Sequence, residues 1–179
     1  MKSLKMTLML ALLVFGGGFS APVFAQGNPL FDPIADVLQH PRCMNCHTVT
    51  DFPRQGDDRI RHIQLVVRGD SGFGAPTLQC GACHQEENVR KGQVPGAHNW
   101  HLAPLSMGWE GLNREELCEA LKDPALNGGR TVDDLLHHMS VDGLVLWGFE
   151  PGDRTKPPLT HPEFVSALEV WAQAGAPCR

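Results

Sequence analysis

The chain is short of the features that build ordinary domains. Beyond residue 25 no stretch is long and apolar enough to cross a bilayer, which argues against a spanning helix there. No run of basic residues occurs, and 20 acidic against 15 basic side chains give a net charge of −5. That balance argues against nucleic acid and against an anionic membrane surface as partners. Strand signals are nearly absent: the one strand-like run, "IQLVV" at 63–67, is too isolated to build a sheet. Cysteine is scarce too. Of six cysteines, four fall in two copies of one five-residue pattern, "CMNCH" at Cys43 to His47 and "CGACH" at Cys80 to His84.

The N-terminus bears on the compartment. Lys2 and Lys5 precede an apolar run from Met6 to Phe15, small residues follow, and Val23-Phe24-Ala25 reads as a cleavage site ahead of Gln26. Residues 1–25 are therefore expected to be a signal peptide, and residues 26–179 one exported, periplasmic domain. Without Lys2 and Lys5 the remaining chain has 13 basic and 20 acidic side chains, a charge of −7. A redox protein partner with a positively charged docking patch is the expectation.

The rest is rich in Gly and Pro, so modest helix and long irregular loops are predicted. Asp32 with Pro33 opens a helix that must end near Pro41. Asn113 with Glu116, and Thr160 with Glu163, are capping-box patterns. Thr131 with Asp133 and Asp134 puts acids at the positive end of a helix dipole. In the last helix Phe164, Leu168 and Trp171 share a face, and Gly175 is the expected stop. Loops at about 48–61 and 69–112 are too long for a compact domain unless they wrap a large apolar object. Such an object would serve as core, and the chain without it is expected to be largely unfolded.

Cys-x-x-Cys-His is the attachment pattern of c-type haem. Two thiols at this spacing add across the two vinyl groups of one porphyrin, and the adjacent histidine ligates the iron. Cys43, Cys46, Cys80 and Cys83 are the expected thioether residues, with His47 and His84 as proximal ligands. A four-cysteine zinc site, a thioredoxin-like redox pair and two small disulfides compete. The gap between motifs exceeds ribbon spacing, a strand–helix–strand context is missing, and Cys-x-x-Cys loops constrain little chain.

What fills the sixth position of each iron decides its chemistry. His62 and His101 follow the two motifs at similar intervals and are the expected distal ligands, crossing or not. Met107, in a Pro-containing loop, is the alternative; His98, His137, His138, Met139 and His161 are further candidates. Cys118 and Cys178 are expected to pair, a bridge that could contribute about 3–4 kcal/mol. Arg42, Arg54, Arg59, Arg61 and Arg68 are candidate partners for haem propionates. Trp100, Trp109, Trp147 and Trp171 are read as packing residues.

These motifs, with "NWHLAP", "MGWEG", "KDPALNGGR" and "HHM", make the chain resemble the small exported dihaem c-type cytochromes of bacteria. More specifically, it resembles a short family associated with molybdenum hydroxylases of the isoquinoline oxidoreductase type. The resemblance runs from about residue 36 to the C-terminus. It implies two haem c groups and an electron carrier or electron-acceptor subunit; a hydroxylase activity would belong to a partner. The alternative is a small haem enzyme, a peroxidase or reductase, with one open iron and His98 or Glu110 as acid–base group.

Overall fold

The computed structural model describes residues 27–89 and 94–179. The expected signal peptide at 1–25 lies outside the described residues. Helices α1 (Asp32–Leu38) and α2 (Pro41–Met44) come first, then two small ribbons, β1 (Arg54–Gln55) with β2 (Ile60–Arg61) and β3 (Gly74–Ala75) with β4 (Leu78–Gln79). Helices α3 (Arg114–Lys122), α4 (Val132–Val141), α5 (Gly143–Phe149) and α6 (His161–Gln173) complete the order. Both ribbons are antiparallel, pairing Arg54 with Arg61 and Gly74 with Gln79. Between and around them the chain is loop, as expected. Among the described residues no helix is long and apolar enough to cross a membrane.

Three capping boxes form, two of them as the sequence predicts and a third at Thr131, where it predicts a helix start. Asn113, Thr131 and Thr160 each accept from the N–H three residues on, at Glu116, Asp134 and Glu163. Helix α6 buries Phe164, Leu168 and Trp171. It ends at Gly175, whose φ of +86° lets its N–H reach the Ala172 carbonyl and the Ala176 N–H reach that of Trp171.

Three expectations need correction. Phe31, not Asp32, occupies the N-cap of α1, and no side chain caps it; Asp32 and Pro33 are the first two helical residues. "IQLVV" builds no sheet, as expected, but it is not even strand-like: Ile63 and Leu65 are exposed, and Leu65 has φ +54°, which breaks an extended run. Helix α5 has no counterpart in the expectations. Asp142 caps it, accepting from the N–H groups of Leu144 and Val145.

Helix α6 packs on α1 and α4, and α4 on α5. Their shared core holds Phe31, Ile34, Leu38, Leu117, Leu135, Phe149, Phe164 and Trp171, with Phe31 and Trp171 rings 5.5 Å apart. Cys118 and Cys178 form a disulfide inside it, Cα to Cα 5.5 Å, as predicted. The Pro177 carbonyl accepts from Trp171 Nε1 and Asn28 Nδ2, tying residue 28 to the chain's last turn. The helices thus have a core of their own side chains, contrary to the reading that only a cofactor could supply one.

The middle of the chain differs. Of twelve large hydrophobic side chains exposed among the described residues, eight lie between 49 and 105, including Ile60, Ile63, Leu65, Phe73 and Leu78. Apolar side chains face outward there, around the second motif.

Candidate functional site

The two Cys-x-x-Cys-His motifs adopt one backbone turn. In each, the first cysteine's carbonyl accepts from the N–H groups of the second cysteine and of the histidine: Cys46 and His47 on Cys43, Cys83 and His84 on Cys80, all at 2.9–3.1 Å. The first copy begins in helix α2, and the second begins in a 3-10 turn, Cys80–Ala82.

Both histidines are held alike. His47 Nδ1 lies 2.9 Å from the Met107 carbonyl, and His84 Nδ1 lies 2.7 Å from that of Pro95. A carbonyl oxygen only accepts, so each Nδ1 carries the hydrogen and each Nε2 keeps its lone pair. The His47 ring stacks on Trp109 at 3.5 Å and 10°, and the His84 ring on Trp100 at 4.5 Å and 4°. Burial is the main cause that pushes the His47 pKa down to about 4, against the Met107 bond, which raises it; His138, Arg68 and Arg130 lower it further. His84 shifts the same way, again chiefly by burial. Each motif thus presents a neutral imidazole with a free Nε2, the form that binds a metal.

The first motif opens into a cavity of about 240 Å³, lined by Cys43, Cys46, His47, His101, Arg130 and His138. Trp100, Trp109 and Trp147 contribute aromatic wall. Although both thiols touch the cavity, packed surroundings push Cys43 up to about 12 and Cys46 to about 11; burial is the first cause, and the next is Cys46 for Cys43 and Cys80 for Cys46. Such thiols stay protonated at neutral pH. Among the described residues no three His, Cys, Asp or Glu gather as a cage for a metal ion.

The second site is more open. Cys83 is exposed, Cys80 and His84 half-buried. His62 comes to it, its ring 6.1 Å from that of His84 at 71°. Burial and then the His84 charge lower the His62 pKa, and His62 Nδ1 is buried without a partner.

The expected distal ligands therefore part company from their own motifs. His62, which follows the first motif, stands beside the second histidine. His101, which follows the second, lines the first cavity and stacks on Phe73 at 4.8 Å. Gly72 permits that path: at φ +83° its carbonyl accepts from Leu102 N–H, and a Cβ would meet the Leu102 carbonyl at 2.6 Å. His138 joins His101 in the first cavity, its Nδ1 3.7 Å from an Asp142 carboxylate oxygen.

The other candidates do different things. Met107 stands behind His47, offering it a carbonyl, and does not line the cavity. Met139 is buried core that reaches the cavity wall. His161 Nε2 donates to the Met139 carbonyl at 2.9 Å, which binds α6 to α4. His98 is exposed and pairs with Glu86; His137 is exposed.

Two further expectations are corrected. Glu110, offered as an acid–base group, is a tether: its carboxylate takes Arg54 Nε at 2.6 Å, the Arg59 guanidinium, Thr48 Oγ1 at 2.9 Å and Val49 N–H at 3.0 Å. Arg54 and Arg59 are thereby engaged, Arg61 lies over the Phe52 ring, and Arg68 donates to the carbonyls of Thr48, Thr50 and Ala103. Arg42 pairs with Asp57 yet keeps a buried Nε without a partner at the cavity wall. Arg130, unnoticed in the sequence, lines the cavity; no motif distinguished it from other surface arginines.

The donor set fits an iron porphyrin held by thioethers. Paired thiols, a neutral imidazole with free Nε2, aromatic walls and an orphaned guanidinium nitrogen for an acid group meet at the first cavity. At the second motif thiols and imidazole lie in a stretch of chain whose large apolar side chains are exposed. Compared with protein-family models, with curated proteins and with solved structures, the chain has no match.

Proposed function

We propose that the protein is an exported, periplasmic electron carrier with two covalently attached c-type haems. When bound, each haem supplies a one-electron iron couple. The observation that carries the reading is the twofold repetition of one histidine environment, Nδ1–H to a main-chain carbonyl and ring on a tryptophan. A chance Cys-x-x-Cys-His needs neither.

The chain's own residues would do the following. Cys43 with Cys46, and Cys80 with Cys83, hold the macrocycles. His47 and His84 would each offer an iron its Nε2, their orientation set by Met107 and Pro95. His62 and His101 would be the further ligands, with His138 in the same cavity as His101. Arg42 and Arg130 suit acid groups at the rim, and Trp100, Trp109 and Trp147 exclude water. The protein's part is to position and insulate the groups and to present a docking surface. The −7 charge of the exported chain favours a basic redox partner. The resemblance to the short dihaem family would make a molybdenum hydroxylase the kind of enzyme it serves.

The enzyme alternative has less support, because Glu110 is tied to two arginines and His98 is paired on the surface. Carbon monoxide binding to the reduced protein tests the choice. A carrier with both irons closed binds it slowly or not at all; rapid binding to one equivalent would favour the peroxidase or reductase reading.

A further inference from the structure

Resting on the dihaem reading, we infer that His62 is the distal ligand of the second site, reaching across from the segment that follows the first motif. The chain turns back after the first motif through the β1–β2 ribbon. His62, directly after β2, donates its backbone N–H to the Pro53 carbonyl. Further on, the Arg68 N–H bonds the Asp51 carbonyl, while its guanidinium holds Thr48, Thr50 and Ala103. Both ends of the 62–68 loop are thus pinned to the segment that follows the first motif, and His62, at its start, stands beside His84 of the second.

Three observations agree. The His62 and His84 rings are 6.1 Å apart. A metal–imidazole bond is about 2 Å long, so two imidazoles sharing one metal from opposite sides have ring centroids roughly 6 Å apart. His62 Nδ1 is buried and unpartnered, a state that costs free energy unless something completes the site. Finally, the cavity of the first motif is lined by His101 and His138 and not by His62. The first site already has histidines facing His47. At the second, among the described residues, the histidine ring that meets His84 is that of His62.

The consequence is architectural. Ligands exchanged between the two motif segments interlock them, so neither haem site is complete within its own stretch of chain. The two motifs form one unit, not two loosely joined ones.

Two-dimensional NMR of the reduced, low-spin holoprotein tests this. An axial histidine's ring protons are displaced far upfield by the porphyrin, and they show Overhauser contacts with the macrocycle they ligate. Contacts from the His62 ring to the macrocycle attached at Cys80 and Cys83 are expected. Contacts to the one attached at Cys43 and Cys46, or a His62 ring without upfield displacement, would overturn the assignment. In the full dihaem chain, His62→Ala should convert one iron to high spin, and added imidazole should restore it. A protein in which both irons stay low-spin without imidazole would also overturn it. Intact mass separates the failures: a chain with both macrocycles but the wrong contacts loses only the ligand assignment, whereas one with neither loses the dihaem reading as well.

Discussion

Trp100 stacks on His84 with ring planes 4° from parallel, and the same side chain forms part of the wall facing Cys43, Cys46 and His47. One indole therefore borders both motif sites, and Trp147 meets it edge-on at 4.7 Å. Electron exchange between two haems depends on what lies between them. Trp100→Leu should slow exchange between the sites severalfold while both haems remain attached. Flash reduction followed by transient absorption checks this; an unchanged rate would remove Trp100 from the path.

The Glu110 tether should show in stability. Its carboxylate is 14 % exposed. Burial would raise its pKa, but bonds from Val49, Arg54 and Thr48 outweigh burial and hold it below the usual 4.5. A depressed carboxylate stabilises the fold above its unfolded pKa, and that contribution is lost as pH falls through the lower, folded value. Glu110→Gln should lower unfolding stability at pH 7 by about 2–3 kcal/mol, because it leaves Arg54 and Arg59 without their anion. The deficit should shrink at acid pH, once the pH has fallen past the usual carboxylate value and through the lower, folded value of Glu110, where the wild-type carboxylate also takes up its proton. Denaturant unfolding at both pH values decides; an equal deficit at each contradicts the tether.

The disulfide predicts a stability loss without a spectral one. Cys118→Ala with Cys178→Ala should cost about 3–4 kcal/mol by loop-closure entropy, and the visible spectrum should be unchanged because the bridge lies in the helical core. Thiol titration of the folded wild type should find neither Cys118 nor Cys178 reactive.

Cofactor loss should act unevenly. In Cys80→Ala with Cys83→Ala the helices keep their own core, so far-ultraviolet circular dichroism should fall little. Amide exchange between residues 60 and 89 should accelerate, since few apolar side chains there are buried. Global loss of helical signal would contradict the separate core.

Much of this was legible in the sequence, and what was not has local physical causes. Capping boxes at Asn113, Thr131 and Thr160 formed because such signals act within one turn. Helix α5 escaped notice because "GLVLWGF" begins and nearly ends on glycine, and its start depends on Asp142, which also ends α4. "IQLVV" has strand propensity, but the β1–β2 ribbon and the Arg68 bonds hold it as an exposed loop. The motifs announced their own cysteines and histidines. Their supports, Met107, Pro95, Trp100 and Trp109, lie up to 62 residues away in sequence and have no spacing signature. The arginines near the first motif looked like propionate partners by proximity; Asp57 and Glu110 hold three of them.

Intact-mass analysis of the exported, denatured protein tests the central claim most directly, since thioether bonds survive denaturation. The account predicts the mass of residues 26–179 plus two haem groups, with Cys43, Cys46, Cys80 and Cys83 all resistant to alkylation. A mass equal to the polypeptide alone, with those four thiols alkylated, would contradict it.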